Sequence, residues 1–342
     1  IYSANSSVIT KGDTNVCENT GHGIWALSNI RLKGSMHEVS ENGMDGLFAP
    51  NGFVQIEGIA RVNDNGQTGI YGEGLKMGPG QVCRNDEYGI WVDDLGLDLE
   101  AVKVCDNRLG GIRGGSNGGG NAAAREWLPG SGDEGLSYAI WRGMIVDNDG
   151  DGILVDDVGP FTISESNILG NGGSGVNNAS MTMTVNAQGN WWGDPNGPDG
   201  EPGSSGEEIT GTVEYAPWSS DPFSLIVLPE TDPILVMPGV PTSNRIYLQN
   251  WQHPTEMVTV TAAGTPGWLL TPSITTVTLE EGIGGSVVIS ITVPGDVPLG
   301  TTSPVTVTAS SHADPTGTDT AVFHVKVRGY MHLPLIWNDG GL

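Results

Sequence analysis

The residues best placed for chemistry in this 342-residue chain are aspartates. Asp93-Asp94 and Asp156-Asp157 stand at matching positions after a recurring glycine. Paired carboxylates can act as general acid and base, or can hold calcium. The run Asp147-Asn148-Asp149-Gly150-Asp151-Gly152 matches the first half of a calcium loop, with carboxylates at the first, third and fifth places and glycine at the sixth. The bidentate glutamate such a loop needs at its end is replaced by Val158, so Asp156 or Asp157 would have to complete a site made by Asp147, Asp149 and Asp151. Asp194, Asn196 and Asp199 form a weaker set. A solvated acidic turn is the plainer account of each. No Ser/His/Asp or Cys/His arrangement stands out, no cofactor is required, and calcium is the one ion the pattern admits.

Four aromatics are the other chemical candidates. Trp25, Phe48, Tyr71 and Trp91 each lie two residues after the recurring glycine, with Arg113 and Leu154 at the same place later. If the flanking residues point inward, these point outward. Stacked at strand spacing they make a stripe about 15 Å long. Such a stripe rarely lies bare on a monomer. Three coverings compete: the chain's own insertion or C-terminal domain, a second subunit, or a sugar stacked on the rings with Glu73, Asp93 and Asp94 beside it.

What must position these residues is a repeat, Asn-x-x-x-Gly-[Ile/Leu/Val]. It occurs at Asn19, Asn42, Asn65, Asn85, Asn107, Asn148 and Asn171, at intervals of 23, 23, 20, 22, 41 and 23 residues. The long interval holds a Gly-rich insertion at about 114–137 that carries Trp127. Three residues before each asparagine stands Val16, Val39, Val62, Val82, Val104, Ile145 or Ile168, the end of a short strand. Asparagine tolerates a left-handed backbone and suits the turn that follows. Glycine lets the chain leave that turn, and alternation such as Ile90-Trp91-Val92 starts the next strand. A period near 22 residues with such short strands implies a solenoid in which each unit buries its apolar face against its neighbours. Coils about 4.8 Å apart bring the asparagine amides into reach of one another as a ladder.

These motifs resemble the right-handed parallel β-helix proteins of bacterial surfaces, over roughly residues 1–222. The segment Gly189-Asn190-Trp191-Trp192-Gly193-Asp194-Pro195-Asn196-Gly197-Pro198 is similar to the Asn-x-Trp-Gly-x-x-x-Gly-Pro stretch that often closes such helices. The resemblance implies a fold of about eight coils and says little about activity, because this fold hosts lyases, hydrolases, adhesins and phage spikes. Gly21-His22-Gly23 and Arg31-Leu32-Lys33 are similar to fragments of the polygalacturonase signature. In that family the histidine motif follows the aspartates, whereas here the order is reversed and the spacing short, so that activity is not expected.

Composition narrows the partners. The net charge is −26, divided as −20 over residues 1–224 (31 acidic, 11 basic) and −6 over residues 225–342 (9 acidic, 3 basic). An acidic surface argues against nucleic acid, anionic membranes and anionic polysaccharides. No run reaches about 18 apolar residues, so no membrane-spanning helix is expected. The chain starts at Ile1 with no leader, which suggests a processed chain or a fragment. The opening coil, entered through Ile1-Tyr2 and Val8-Ile9, shows no covering helix, and an uncovered edge is a template for another chain. Three cysteines are too few for a disulfide framework. Cys17, Cys83 and Cys105 all stand two before a repeat asparagine. Cys83 and Cys105 lie in adjacent coils, about 4.8 Å apart at Cα, within reach of a disulfide. In-register side chains hold their Cβ atoms nearly as far apart, which strains the bond and favours an unbonded thiol stack.

From about Leu225 the period vanishes. Alternating runs at Arg245–Asn250, Met257–Ala263, Thr275–Leu279, Ser286–Val293, Pro304–Ser310 and Thr320–Val327 predict an antiparallel sandwich over 225–328. Pro266-Gly267-Trp268, Pro272, Val293-Pro294, Leu299-Gly300 and Ala309-Ser310-Ser311 resemble the bacterial Ig-like modules appended to secreted glycosidases and surface proteins. That family is an accessory module, and the match carries no catalytic residue. The apolar tail 329–342, with Tyr330, Leu333, Leu335, Ile336 and Trp337, is read as a final strand, a strand donated to a neighbour's sheet, or an anchoring tag.

The whole reads as an all-β protein of the bacterial or archaeal cell surface or exterior. The expected role is structural and non-enzymatic, as a self-assembling filament, surface-layer or adhesin subunit with other copies of itself as partners. The competing role is a secreted polysaccharide-binding or polysaccharide-cleaving protein.

Overall fold

A computed structural model describes residues 1–4, 6–93, 95–115, 137–156, 159–251, 254–281, 284–314 and 317–329. Asp94, Asp157, Val158, the body of the insertion with Trp127, and the tail residues Tyr330, Leu333, Leu335, Ile336 and Trp337 lie outside the described residues. The described chain contains strands and no helix. It forms two compact units that divide at Ser224/Leu225.

The first unit is a parallel β-helix of about seven turns, where about eight were expected. Each full turn contributes one strand to each of three parallel sheets. The turn at Asn107, for example, is entered through Leu97–Glu100 and Val102–Cys105, and the next begins at Gly110–Gly114. Register is kept residue for residue: Ile24, Leu47, Ile70, Ile90, Ile112, Ile153 and Val176 lie directly over one another. All seven are fully buried. Val39, Val62, Val82, Val104, Ile145 and Ile168 make a second buried file in the third sheet. Strand side chains alternate between faces, so a file of β-branched residues inside means a file of other residues outside. The insertion leaves after Gly115 and the chain re-enters at Ser137, between a first-sheet and a second-sheet strand of one turn.

The asparagines are joined amide to amide; Asn42, Asn65, Asn85, Asn107 and Asn148 are buried, Asn171 is half-buried, and Asn19 at the start is exposed. Asn19 Nδ2 donates to Asn42 Oδ1 at 2.7 Å. The links from Asn42 to Asn65, Asn85, Asn107, Asn148 and Asn171 are each 2.9 Å. From Asn42 onward each Nδ2 also donates to a carbonyl of the preceding coil, as Asn85 does to Val62 at 3.2 Å. Backbone N–H groups donate to the next Oδ1 at 3.0–3.3 Å. After Asn171 the series ends on Glu207, whose Oε1 accepts from the Asn171 N–H at 3.0 Å. Carboxylate oxygens only accept, so Glu207 can end the series and cannot pass it on.

Two details differ from the sequence expectation. The left-handed residue is the one before each asparagine: Glu18, Glu41, Asp64, Arg84, Asp106 and Asp147 have φ of 54–59°. The asparagine itself is selected for the ladder. The repeat glycine, in turn, answers a close approach. A Cβ on Gly69 would lie 2.6 Å from the Gly89 carbonyl oxygen and 2.8 Å from Asn85 Nδ2.

Cys83 and Cys105 form a disulfide across 4.6 Å between Cα atoms, in place of the expected thiol stack. Cys17 is unbonded, with Asn15 Oδ1 at 2.9 Å and Ser40 Oγ at 3.3 Å. The closing segment buries Trp192, and Asn190 Nδ2 donates to the carbonyls of Ile163 and Ala187 at 2.8 and 2.7 Å. Trp218 packs over Gly197 and against the helix core.

The second unit is a sandwich of two sheets, largely antiparallel. One holds Leu225–Pro229, Thr242–Asn250, Gly285–Thr292 and Leu269–Pro272. The other holds Ile234–Val236, Thr318–Val327, Thr302–Ser311, Thr255–Ala263 and Thr276–Glu280. Ile246, Leu248, Val287, Ile289, Val307 and Phe323 are completely buried in the shared core. Leu225–Pro229, Ile234–Val236 and Leu269–Pro272 were absent from the sequence pattern because they are short and lack a clean alternation. The middle one joins its sheet in parallel.

Replacing Asn85 by alanine removes its amide from the buried middle of the ladder and leaves Asn65 and Asn107 without their partner. It is expected to cost about 2–4 kcal/mol, read as a lower Cm in denaturant unfolding followed by circular dichroism. Reducing the Cys83–Cys105 bond, which closes a separation of 22 residues, is expected to cost about 3 kcal/mol and to lower the thermal midpoint.

Candidate functional site

The outward file of the first sheet runs Tyr2, Trp25, Phe48, Tyr71, Trp91, Arg113, Leu154. Coil spacing forces the rings into contact along the axis. Tyr2 stacks on Trp25 at 4.4 Å between centroids. Phe48 stacks on Tyr71 at 5.0 Å, and Trp91 meets Tyr71 edge-on at 5.5 Å. Arg113 then lies over Trp91 at 4.4 Å, a cation–π contact. Trp25, Phe48, Tyr71 and Trp91 are half-buried. A flat sugar-stacking platform needs ring faces open to solvent, and here several faces are taken by the next ring.

The acidic candidates are engaged in the same axial way. Asp93 accepts from Tyr71 Oη at 2.9 Å and from Trp91 Nε1 at 3.1 Å. Asp156 pairs with Arg113 at 3.0 Å. Asp151 accepts from the Ser174 N–H and from Asn177 Nδ2, both at 2.8 Å. Asp147 Oδ1 lies over Gly170, and Asp149 sits on the exposed turn. Among the described residues no three His, Cys, Asp or Glu side chains converge as a metal centre requires. Asp194 caps its own loop, accepting from the Asn196 N–H at 2.8 Å and Ser205 Oγ at 2.9 Å. These bonds hold its carboxyl below the usual range, the Asn196 N–H foremost. Arg31 of the polygalacturonase-like fragment turns to Glu57 at 3.0 Å, and His22 turns elsewhere.

His22 marks what the sequence pattern missed. The third residue after each asparagine forms its own file, and in the first three turns it is His22, Asp45 and Thr68. Beside them an open groove of about 280 Å³ is lined by His22, Met44, Asp45, Phe48, Gln67, Thr68, Tyr71, Glu87 and Trp91. His22 stacks on Phe48 at 4.6 Å. Its Nδ1 is 3.0 Å from Asp45 Oδ2, yet this buried nitrogen makes no hydrogen bond. The two facts agree if the contact is close and misaligned, and we read it so. Asp45 Oδ1 accepts from the Thr68 N–H at 2.9 Å, and Thr68 Oγ1 approaches Glu87 Oε2 at 3.3 Å.

Burial pushes the Asp45 carboxyl up to about 7, helped by the neighbouring Glu87 charge and opposed by the Thr68 N–H. Burial also lowers His22. Burial, then Asp93, raises Tyr71. Sequence reasoning found His22 only as a motif fragment. Asp45 and Glu87 gave no signal, since they stand at different offsets in their turns.

The raised Asp45 makes a signed prediction. The folded state keeps its proton up to about pH 7, while the unfolded chain has lost it near pH 4, so this stabilisation fades as pH rises between those limits. His22, lowered by burial, works in the opposite sense below its ordinary value. Asp45→Asn is expected to remove about 3 kcal/mol of the loss in stability between pH 5 and pH 8, measured by denaturant unfolding at both.

The described residues contain no helix long and apolar enough to cross a membrane. No protein-family model matches the chain, and none of the curated proteins matches it in sequence. Solved structures match over about a third of it. The S-layer protein SbsC, domains 4 and 5, has 16% identity over 35% of this chain and 57% of its own, at a TM-score of 0.22. The secreted serine protease VesC from Vibrio cholerae has 16% identity over 31% of this chain and 23% of its own, at a TM-score of 0.24. A family 123 glycoside hydrolase from Clostridium perfringens has 12% identity over 28% and 22%, at 0.23. The chain thus covers less than two thirds of each of these structures, and likeness at such TM-scores carries no functional argument.

Proposed function

We propose that this is an extracellular, non-enzymatic structural protein, a subunit of a filament, surface layer or adhesin, with other copies of itself as partners. The observation that carries this reading is the axial engagement of its reactive side chains. Tyr71, Trp91 and Asp93 bind one another, as do Arg113 and Asp156. Side chains tied up in this way serve the rigidity of a rod more readily than the turnover of a substrate. The Cys83–Cys105 disulfide supports the compartment, because such bonds persist where the surroundings are oxidising. The second unit then serves as an accessory module of the Ig-like kind.

One feature favours a second reading, a polysaccharide-binding protein. The groove at Asp45 and Glu87 is open and bordered by Phe48, Tyr71 and Trp91.

The test uses the full chain in sedimentation velocity and negative-stain imaging over a range of concentrations, with a parallel assay for reducing ends released from a polysaccharide panel. Concentration-dependent regular assemblies and no released ends are expected. Released ends, or monomers at every concentration, would overturn the structural reading.

A further inference from the structure

The asparagine ladder has a direction. Each amide donates to the coil after it and accepts from the coil before it, from Asn19 through Asn171. Glu207 closes the far end. The near end is open in the described chain. Asn19 Nδ2 donates to Asn42 Oδ1, but no described group donates to Asn19 Oδ1. Its Nδ2 finds no carbonyl of a preceding coil and turns to Cys17 O at 3.3 Å. The strand Thr14–Cys17 pairs with His37–Ser40 on one side and with no described strand on the other.

A segment outside the described residues carries the matching half. Leu335-Ile336-Trp337-Asn338-Asp339-Gly340 repeats the order of Ile145-Val146-Asp147-Asn148-Asp149-Gly150: two apolar residues, one other, then Asn-Asp-Gly. Pro334 before it suits one place in such a stack. Four before its ladder asparagine, Asn167 turns its N–H back to Gly143 of the earlier coil; one before, Asp147 turns its N–H forward to Leu169. A proline at the first of these places gives up only a bond that an outermost coil has no partner for. Trp337 is the strained member, because its slot is left-handed at Glu18, Asp64 and Asp147. Strand pairing has to outweigh that strain.

We propose that residues 334–338 of one copy add as a strand beside Thr14–Cys17 of the next, extending the ladder by one step. The inference rests on the self-assembling role proposed above and names the two surfaces that meet. Asn338 Nδ2 donates to Asn19 Oδ1, and Asn19 Nδ2 gains the Leu335 carbonyl. The Trp337 N–H donates to Cys17 O, as that of Glu18 does to Ser40 O. A donated strand satisfies the main chain of an open edge, and its side chains fix the register. Tail and first coil are different surfaces, so repeating the contact makes an open chain of copies.

The register sets the test. Cys83 and Cys105 stand two before the ladder asparagines of adjacent coils, and they are bonded. Cys17 stands two before Asn19 and is unbonded. The same place in the tail is Ile336. Full-length Ile336→Cys, oxidised with diamide, should therefore form dimers and higher multimers on non-reducing gels. Cys17 of one copy and the introduced thiol of another give up two protons and two electrons, and the azo group of diamide takes them to become a hydrazine. The product should vanish when Cys17→Ser is added, and should fall several-fold in Leu335→Cys, whose side chain points to the other face. With the thiols unaltered, Asn338→Asp should weaken association about tenfold in sedimentation velocity, since a carboxylate offers Asn19 Oδ1 no donor. Circular dichroism verifies the fold of each variant. Absence of multimers, or equal multimers from Leu335→Cys, overturns the proposal. So does an intrachain product that leaves the copies monomeric, or unchanged association in Asn338→Asp. Regular assemblies of the unaltered chain without the Cys17 product leave the structural role standing and sink this contact alone. A specific Cys17 product without regular assemblies keeps the contact and sinks the filament.

Discussion

Residues of the helix unit stand over their equivalents one coil away, and that register governs the rest. Backbone hydrogen bonds between coils set the spacing, but they would tolerate a slip. A slip by one residue would turn the buried file of Ile24, Leu47, Ile70 and Ile90 outward. The asparagine ladder opposes it, because each amide fits only the amide above and the carbonyl beside it. A buried amide left without partners costs more than a satisfied one contributes, so the ladder acts chiefly as a penalty on wrong register. The repeat glycines make room for it, and the left-handed residue before each asparagine aims the side chain inward.

The same register decides what the outer surface can do. Side chains on equivalent positions are forced together, so like types become files. Aromatics become a stack, and acids meet whatever basic residue the neighbouring coil supplies. This converts most of the reactive side chains into links between coils. The groove is an exception because its file changes identity at each step. His22, Asp45 and Thr68 follow one another with no lysine or arginine among them.

The sequence by itself determined the period, the buried files and the outward stripe, because all three follow from spacing along one chain. Asn19 through Asn171 and the apolar residue three before each are visible without coordinates, since a solenoid places equivalent positions together by construction. The sandwich strands with clean alternation, such as Thr255–Ala263 and Thr318–Val327, were legible for a similar reason. Short ones such as Ile234–Val236 were not, because three residues hold no period. Tertiary structure alone decided matters of direction and distance smaller than the coil spacing. It joined Cys83 to Cys105, where in-register geometry had favoured separate thiols. It turned ring faces toward each other and away from solvent. It also set His22 against Asp45 from turns 23 residues apart, near a glutamate at another offset. Sequence periodicity reports which residues share a file. Which atoms of neighbouring files meet depends on rotamers and turn shape, and those are fixed only when the coils pack.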